Sequence, residues 1–324
     1  MTAVQTRRGF LSGAALAGAA ATMPAERGWA DEPALETTTV RLGKLPVACD
    51  VPIYAVDDLL RAGGFTDVRF VNTTRSARME ALGRGEFDFT TSFAVSQIGA
   101  LDASIPITIL AGLHAGCFEL FTRAGIHGIT DLKGKLAESP PALLIMMAAS
   151  VGLDRKDIDW VTDPALRPLD LFADGDIDAF LAFPPEPEQL RARHAGHVIV
   201  NTALDRPWSQ YFCCMLVGNR EFVRRNPVAT KRAVRAILKA TDLCDGEPQR
   251  AAREIVDRGF ADKYDPLQQT LKDNPYKWRD YDAGDTVGLY TLRLQEVGLI
   301  KSTPQKIIAD GTDWRFFSTS SNAS

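Results

Sequence analysis

The sequence is poor in the features that mark specialised chains. It has no basic surplus: 37 Lys and Arg stand against 41 Asp and Glu, a formal net charge of −4. Nothing is therefore set aside to neutralise phosphates, which argues against a nucleic-acid partner. Five cysteines in 324 residues are too few for a disulfide scaffold, and a chain of this length needs no such staples. No apolar run in the body of the chain reaches membrane-spanning length; 142–151 (ALLIMMAASV) has the length of a buried helix. A nucleophile elbow, P-loop, HExxH and CxxC are all missing, so a catalytic reading has no constellation to rest on. What remains is ordinary: 45% hydrophobic and 24% charged residues exclude a disordered or collagen-like chain. The length suggests about two domains with a sizeable core.

The first 30 residues differ from the rest. They hold Arg7, Arg8 and Arg27 but a single acid, Glu26, and 9–22 is uncharged and rich in Ala and Gly. A basic start, a modest apolar stretch and a small-x-small end describe an export signal. The run Thr6-Arg7-Arg8-Gly9-Phe10-Leu11 resembles the bacterial twin-arginine motif, and Gly28-Trp29-Ala30 resembles a signal-peptidase site. The expectation is a leader over 1–30 and export to the periplasm, with no lipid anchor. Without the leader, 34 basic and 40 acidic residues remain, a net charge of −6.

Strands then alternate with helices, the pattern of an α/β chain with mostly parallel sheets. Strands are expected at 39–43, 68–72, 87–91 and 107–113, with helices at 52–62, 76–84 and 94–102 between them. A second run has an extended segment at 118–123, a helical turn at 129–134, helices at 141–151, 168–173 and 186–194, and strands at 158–161, 177–183 and 197–201. After 215 the pattern predicts helices at 220–246, 248–259 and 285–296.

One segment recurs. Leu82-Gly83-Arg84-Gly85-Glu86-Phe87-Asp88 compares with Phe172-Ala173-Asp174-Gly175-Asp176-Ile177-Asp178, and in each a Phe follows the Asp by five residues. Either this is general helix-to-strand grammar, with Gly supplying a left-handed turn, or the chain holds two α/β lobes of similar plan. In the second case Thr91-Ser92-Phe93 and Phe183-Pro184-Pro185-Glu186 lie at corresponding strand mouths, where α/β sheets bind ligands.

Two further stretches carry a family resemblance. Gly125-Ile126-His127-Gly128-Ile129-Thr130-Asp131-Leu132-Lys133-Gly134-Lys135 resembles the "sIxsxaDLkGK" signature of periplasmic substrate-binding proteins of ABC importers, and Arg84-Gly85-Glu86-Phe87-Asp88 resembles their "l.sGevDf" segment. The order of motifs over 68–111 and 131–183 is similar to the nitrate/sulfonate/taurine-type branch, which includes thiamine-pyrimidine binders and the related yeast pyrimidine synthases. The resemblance implies a two-lobed type II periplasmic binding fold with a helical C-terminal tail. Lobe I would take 36–116 and 214–324, lobe II 124–205, with hinge crossings at 117–123 and 206–213. It also implies a monomer that captures a small polar, anionic or aromatic solute and delivers it to permease transmembrane subunits. An enzyme on the same scaffold, and the binding subunit of a membrane sensor, are the alternatives. One departure stands out: 135–141 is short, lacks Gly and holds two prolines, which have no N–H to offer an anion; Ser139 keeps a hydroxyl there.

The candidate ligand contacts follow. The loop after the first strand offers Pro46, Cys49 and Asp50, or is a plain turn. Thr91 and Ser92 offer hydroxyl donors. Phe93 and Phe183 either sandwich a ligand or belong to the core. Pro184 accompanies them, and Glu186 either meets a ligand donor or serves the first turn of its helix. Trp208 either floors the cleft or fills a hinge. His114 ends an apolar strand; its spacing to Cys117 and Glu119, H-x-x-C-x-E, matches no dedicated metal site. Cys213-Cys214 resembles the Cys-rich segment of the yeast synthases with two cysteines only, and reads as small buried residues. No cofactor and no metal are expected.

Overall fold

Both runs of alternating elements form a five-stranded sheet of their own. The structure is a computed structural model that describes residues 32–45, 48–138, 142–161 and 167–316. The leader expected over 1–30, Pro46 and Ser139 lie outside the described residues. The first sheet takes β1 (Thr39–Lys44), β2 (Asp67–Asn72), β3 (Phe89–Phe93) and β4 (Ile107–Ala115). The second takes β5 (Glu119–Thr122), β6 (Leu136–Glu138), β7 (Asp159–Val161), β8 (Ala179–Ala182) and β9 (His197–Asn201), after which β10 (Phe212–Asn219) returns to the first. Strand orders are β2-β1-β3-β10-β4 and β7-β6-β8-β5-β9. Each sheet thus holds one antiparallel strand in its interior: β10, which returns to lie between β3 and β4, and β5, the first strand of the second run, between β8 and β9.

The links between the sheets are 116–118 and 202–211. Residues 119–122 and 212–213, which the family resemblance places in the crossings, are strand. Buried extended backbone must pair its N–H and C=O groups, and a sheet edge is the nearest partner. The two links are tied side by side: the Phe118 N–H donates to Thr202 Oγ1 at 2.9 Å, and the Thr202 N–H donates to the Phe118 carbonyl at 2.9 Å.

The recurring segment proves structural. Gly85 and Gly175 both have positive φ, +74° and +98°, so each ends its helix in the left-handed turn that glycine takes without strain. The aspartates that follow then do the same job. Asp88 accepts the Arg41 N–H at 2.7 Å while its own N–H donates to the Arg41 carbonyl. Asp178 accepts the Leu136 N–H at 2.9 Å and its N–H donates to the Leu136 carbonyl. Each carboxylate therefore clamps its strand to the neighbouring parallel one, β3 to β1 and β8 to β6.

The helix expected over 52–62 is two helices, Val51–Tyr54 and Asp57–Ala62. The tail forms Arg220–Arg225, Pro227–Gly246, Pro248–Asp257, Tyr264–Asp273, Ala283–Glu296 and Pro304–Gly311. Tyr264–Asp273 and Pro304–Gly311 are absent from the sequence reading. The first buries Leu267, Thr270 and Leu271, spaced i, i+3 and i+4 on one helical face, with Pro266 in its first turn. Among the described residues no helix is long and apolar enough to cross a membrane.

Asp102, at the end of helix Ala94–Asp102, pins this tail by accepting N–H groups from Lys301 at 3.1 Å and Ser302 at 2.7 Å. Burial alone would raise its pKa, but the Ser302 hydroxyl and these two N–H groups outweigh it and hold the carboxyl below its ordinary range. A depressed pKa adds stability above the unfolded value of about 3.9 and loses it as pH falls through the folded value. Asp102→Asn should therefore cost about 1 kcal/mol at neutral pH, discounted for solvent screening. The gap from wild type should close below roughly pH 4. Urea midpoints at pH 7 and pH 3 test this; a gap independent of pH would assign the cost to shape and not to charge.

Candidate functional site

The chain leaves β1 through a short 3-10 turn, Ala48–Asp50, before helix Val51–Tyr54. That turn drives Asp50 into the interior, where it is 1% exposed. Its carboxylate accepts the Leu45 N–H at 2.8 Å, Thr91 Oγ1 at 2.5 Å, and Arg78 Nη1 at 3.2 Å and Nη2 at 2.5 Å. Arg78 opens helix Arg78–Gly83, is 4% exposed, and also donates Nη1 to the Thr91 carbonyl. Burial pushes the Asp50 carboxyl up, and the Arg78 guanidinium and Thr91 hydroxyl pull against it. Asp50 and Thr91 are thus supports for Arg78: their polar groups are spent on one another and on the arginine.

Arg78 Nε is the exception. It is buried and has no hydrogen-bond partner. The Arg78 side chain also lines a cavity of about 20 Å³, together with Leu45, Cys49, Asp50, Arg75, Ser92, Phe93, Phe183 and Cys214. Arg75 enters from the exposed loop that follows β2, its guanidinium 3.8 Å from the centre of the Phe183 ring, a favourable cation–π position. The Ser92 hydroxyl makes no hydrogen bond to another described residue. The cavity thus combines the Arg78–Asp50 ion pair, a second guanidinium from Arg75, one hydroxyl, two thiols and aromatic walls, and the surplus guanidinium gives it the chemistry of an anion seat.

Of the expected contacts, Cys49, Asp50, Ser92, Phe93 and Phe183 meet here. Phe93 and Phe183 occupy equivalent places in the two sheets, each five residues after its clamp aspartate. They do not sandwich an open space but meet edge to face, with centroids 5.7 Å apart, and Phe118 completes the group at 4.7 and 6.0 Å. Such contacts are favourable in themselves. Trp208 lies apart, in a second cavity of about 60 Å³ with Phe93, Phe118, Tyr211 and Tyr290. The Glu186 carboxylate accepts the Phe183 N–H at 3.0 Å. Burial raises its pKa, and that N–H and Arg75 oppose the rise. Pro184 is buried and lines neither cavity, and neither does His114, which is fully buried in β4.

Sequence reasoning missed both arginines. Their signal was the Arg75-x-x-Arg78 spacing at the carboxyl end of a parallel strand, the same position that drew attention to 44–50 and 91–93.

Two α/β sheets joined by two adjacent links, the first completed by a strand that returns after the second, make up the fold of the periplasmic binding proteins. A model of the NMT1-like family matches residues 137–258. The periplasmic nitrate-binding protein NrtA from Synechocystis PCC 6803 superposes with a TM-score of 0.73 at 15% identity, covering 88% of both chains. The alkanesulfonate-binding protein SsuA from Xanthomonas axonopodis pv. citri, solved bound to MOPS, gives 0.68 at 16% identity, covering 83% of this chain and 96% of that one. The Candida albicans CA3427 gene product, which exhibits the generic periplasmic binding protein fold, gives 0.66 at 12% identity over 85% and 97%. No curated protein matches the sequence. At such identities the likeness establishes the fold, and these neighbours agree with the resemblance carried by the sequence motifs.

Proposed function

We propose that this chain is the solute-binding component of an ABC importer, exported by its leader and acting in the periplasm, and that it holds a small anion between its two sheets. The observation that carries this reading is Arg78 Nε, a buried donor with no acceptor, beside Arg75 at the meeting point of Phe93 and Phe183. A buried unmet donor costs about 1–3 kcal/mol. A nitrate, sulfonate or carboxylate oxygen removes that cost and adds a charge-assisted bond. Because the walls come from both sheets, such a ligand favours the closed arrangement, and the links at 116–118 and 202–211 serve as hinges. The lobes would be those expected from the sequence, 36–116 with 214–324, and 124–205. The closed monomer would then dock on permease transmembrane subunits. Binding without chemistry is the favoured role, since Asp50 and Thr91 are locked into support of Arg78.

Thermal unfolding and calorimetry against nitrate, short alkanesulfonates and carboxylates test this. At 100 times Kd a ligand adds about 2.7 kcal/mol, a rise of roughly 4–5 °C for a chain of this size. Arg75→Gln should keep the fold and weaken binding by about 10-fold or more. No shift with any anion, or full affinity in Arg75→Gln, would overturn the reading.

A further inference from the structure

Behind the arginine-lined cavity lies a group of soft donors drawn from three distant parts of the chain. The 3-10 turn after β1 supplies Cys49, β4 supplies His114 and β10 supplies Cys214. All three are buried, at 3%, 0% and 1% exposure. The two Sγ atoms and a ring nitrogen lie within 4.8 Å of one another.

The histidine is set for ligation. Its Nδ1 lies 3.2 Å from the Ala115 carbonyl oxygen, a group that can only accept, so Nδ1 carries the hydrogen and Nε2 presents a lone pair. Nε2 is buried without a hydrogen-bond partner. Metal-binding imidazoles are oriented in this way, one nitrogen held on a backbone carbonyl and the other on the ion. Buried cysteines alone would be unremarkable as small apolar residues. An imidazole nitrogen left unmet among them is not, since orphaned buried acceptors are costly.

We propose that Cys49, His114 and Cys214 form a three-ligand site for a thiophilic divalent ion of the zinc class, with its fourth position toward the arginine-lined cavity. Cys49 and Cys214 both line that cavity, which supplies an entry path. Binding releases one proton from each thiol to solvent. Two thiolates, a neutral imidazole and a divalent ion then sum to zero charge, which a buried setting tolerates. Two cysteines and one histidine with an open position match the ligand count of zinc sites that admit an exogenous group. The ligands stand 65 and 100 residues apart, so no local spacing announces them. The site does not rest on the anion reading, and either can fail alone.

The test uses the full chain, reduced and freed of metal with a chelator, with Co(II) and Zn(II) as probes. One equivalent of Co(II) should produce thiolate charge-transfer and tetrahedral ligand-field absorption that Zn(II) abolishes. Cys214→Ala and His114→Gln should weaken binding by roughly 100-fold or more, while Cys244→Ala, a buried cysteine outside the group, should leave it intact. If a variant fails to fold, X-ray absorption of the Zn(II)-loaded wild type decides. Two sulfurs near about 2.3 Å with one or two nitrogen or oxygen neighbours near about 2.0–2.1 Å support the site. No absorption change at one equivalent of Co(II), unaltered affinity in a folded Cys214→Ala, or a shell of sulfur alone would overturn it.

Discussion

Arg78→Met is expected to cost about 3–5 kcal/mol of folding stability, read as a lowered urea midpoint at pH 7. The methionine fills much of the arginine's volume, so the loss is electrostatic. Asp50 would keep only the Leu45 N–H and the Thr91 hydroxyl, and a buried carboxylate without its counter-ion is among the costliest single defects. The double variant Arg78→Met with Asp50→Asn removes the charge together with its partner and should recover a good part of the loss. A single variant within about 1 kcal/mol of wild type would mean that Asp50 does not need Arg78. The same measurement bears on function, because Arg78 is the one arginine held rigidly at the cavity, whereas Arg75 arrives on an exposed loop.

Gly116→Val should cost about 2–5 kcal/mol and lower soluble yield. Gly116 has φ of +76°, a region that costs other residues about 1–2 kcal/mol. A Cβ there would also lie 2.5 Å from the Ala203 Cβ and 2.7 Å from its Cα. The second of these is backbone, so relief means prising apart the two links, which overpacking elsewhere prices at about 1–3 kcal/mol. Gly99→Ala is the control: it sits within helix Ala94–Asp102 with nothing inside 4 Å, and should be neutral or stabilising by up to about 1 kcal/mol. Equal melting temperatures for Gly116→Val and wild type would show that the links are not held together as the structure has them.

Part of the candidate site is legible in the sequence. Position at the carboxyl end of a strand singles out Cys49, Asp50, Ser92, Phe93 and Phe183, which the fold brings to one cavity, because parallel sheets put their loops there whatever the residues. It could not distinguish a residue that faces the cavity from one that serves it. Thr91 and Asp50 are candidate contacts by position, while their hydrogen bonds join them to each other and to Arg78. For Phe93 and Phe183 the sequence leaves ligand walls and core packing open, and the structure has the two rings in contact. His114 was judged by its near neighbours Cys117 and Glu119, while its spatial neighbours are Cys49 and Cys214.

The amino-acid sequence by itself determined the α/β class, the two runs of elements and the internal equivalence of 82–88 and 172–178. Such features rest on short-range chemistry: apolar periodicity, a glycine able to take positive φ, and an aspartate that closes onto the next strand. Tertiary structure alone decided the rest. The return of β10 to the first sheet, the burial of Asp50 against Arg78, and the meeting of Cys49, His114 and Cys214 join residues tens to more than a hundred positions apart. Long-range partners carry no local signature, because what selects them is the geometry of the closed sheets and the need of each buried polar group for a counterpart.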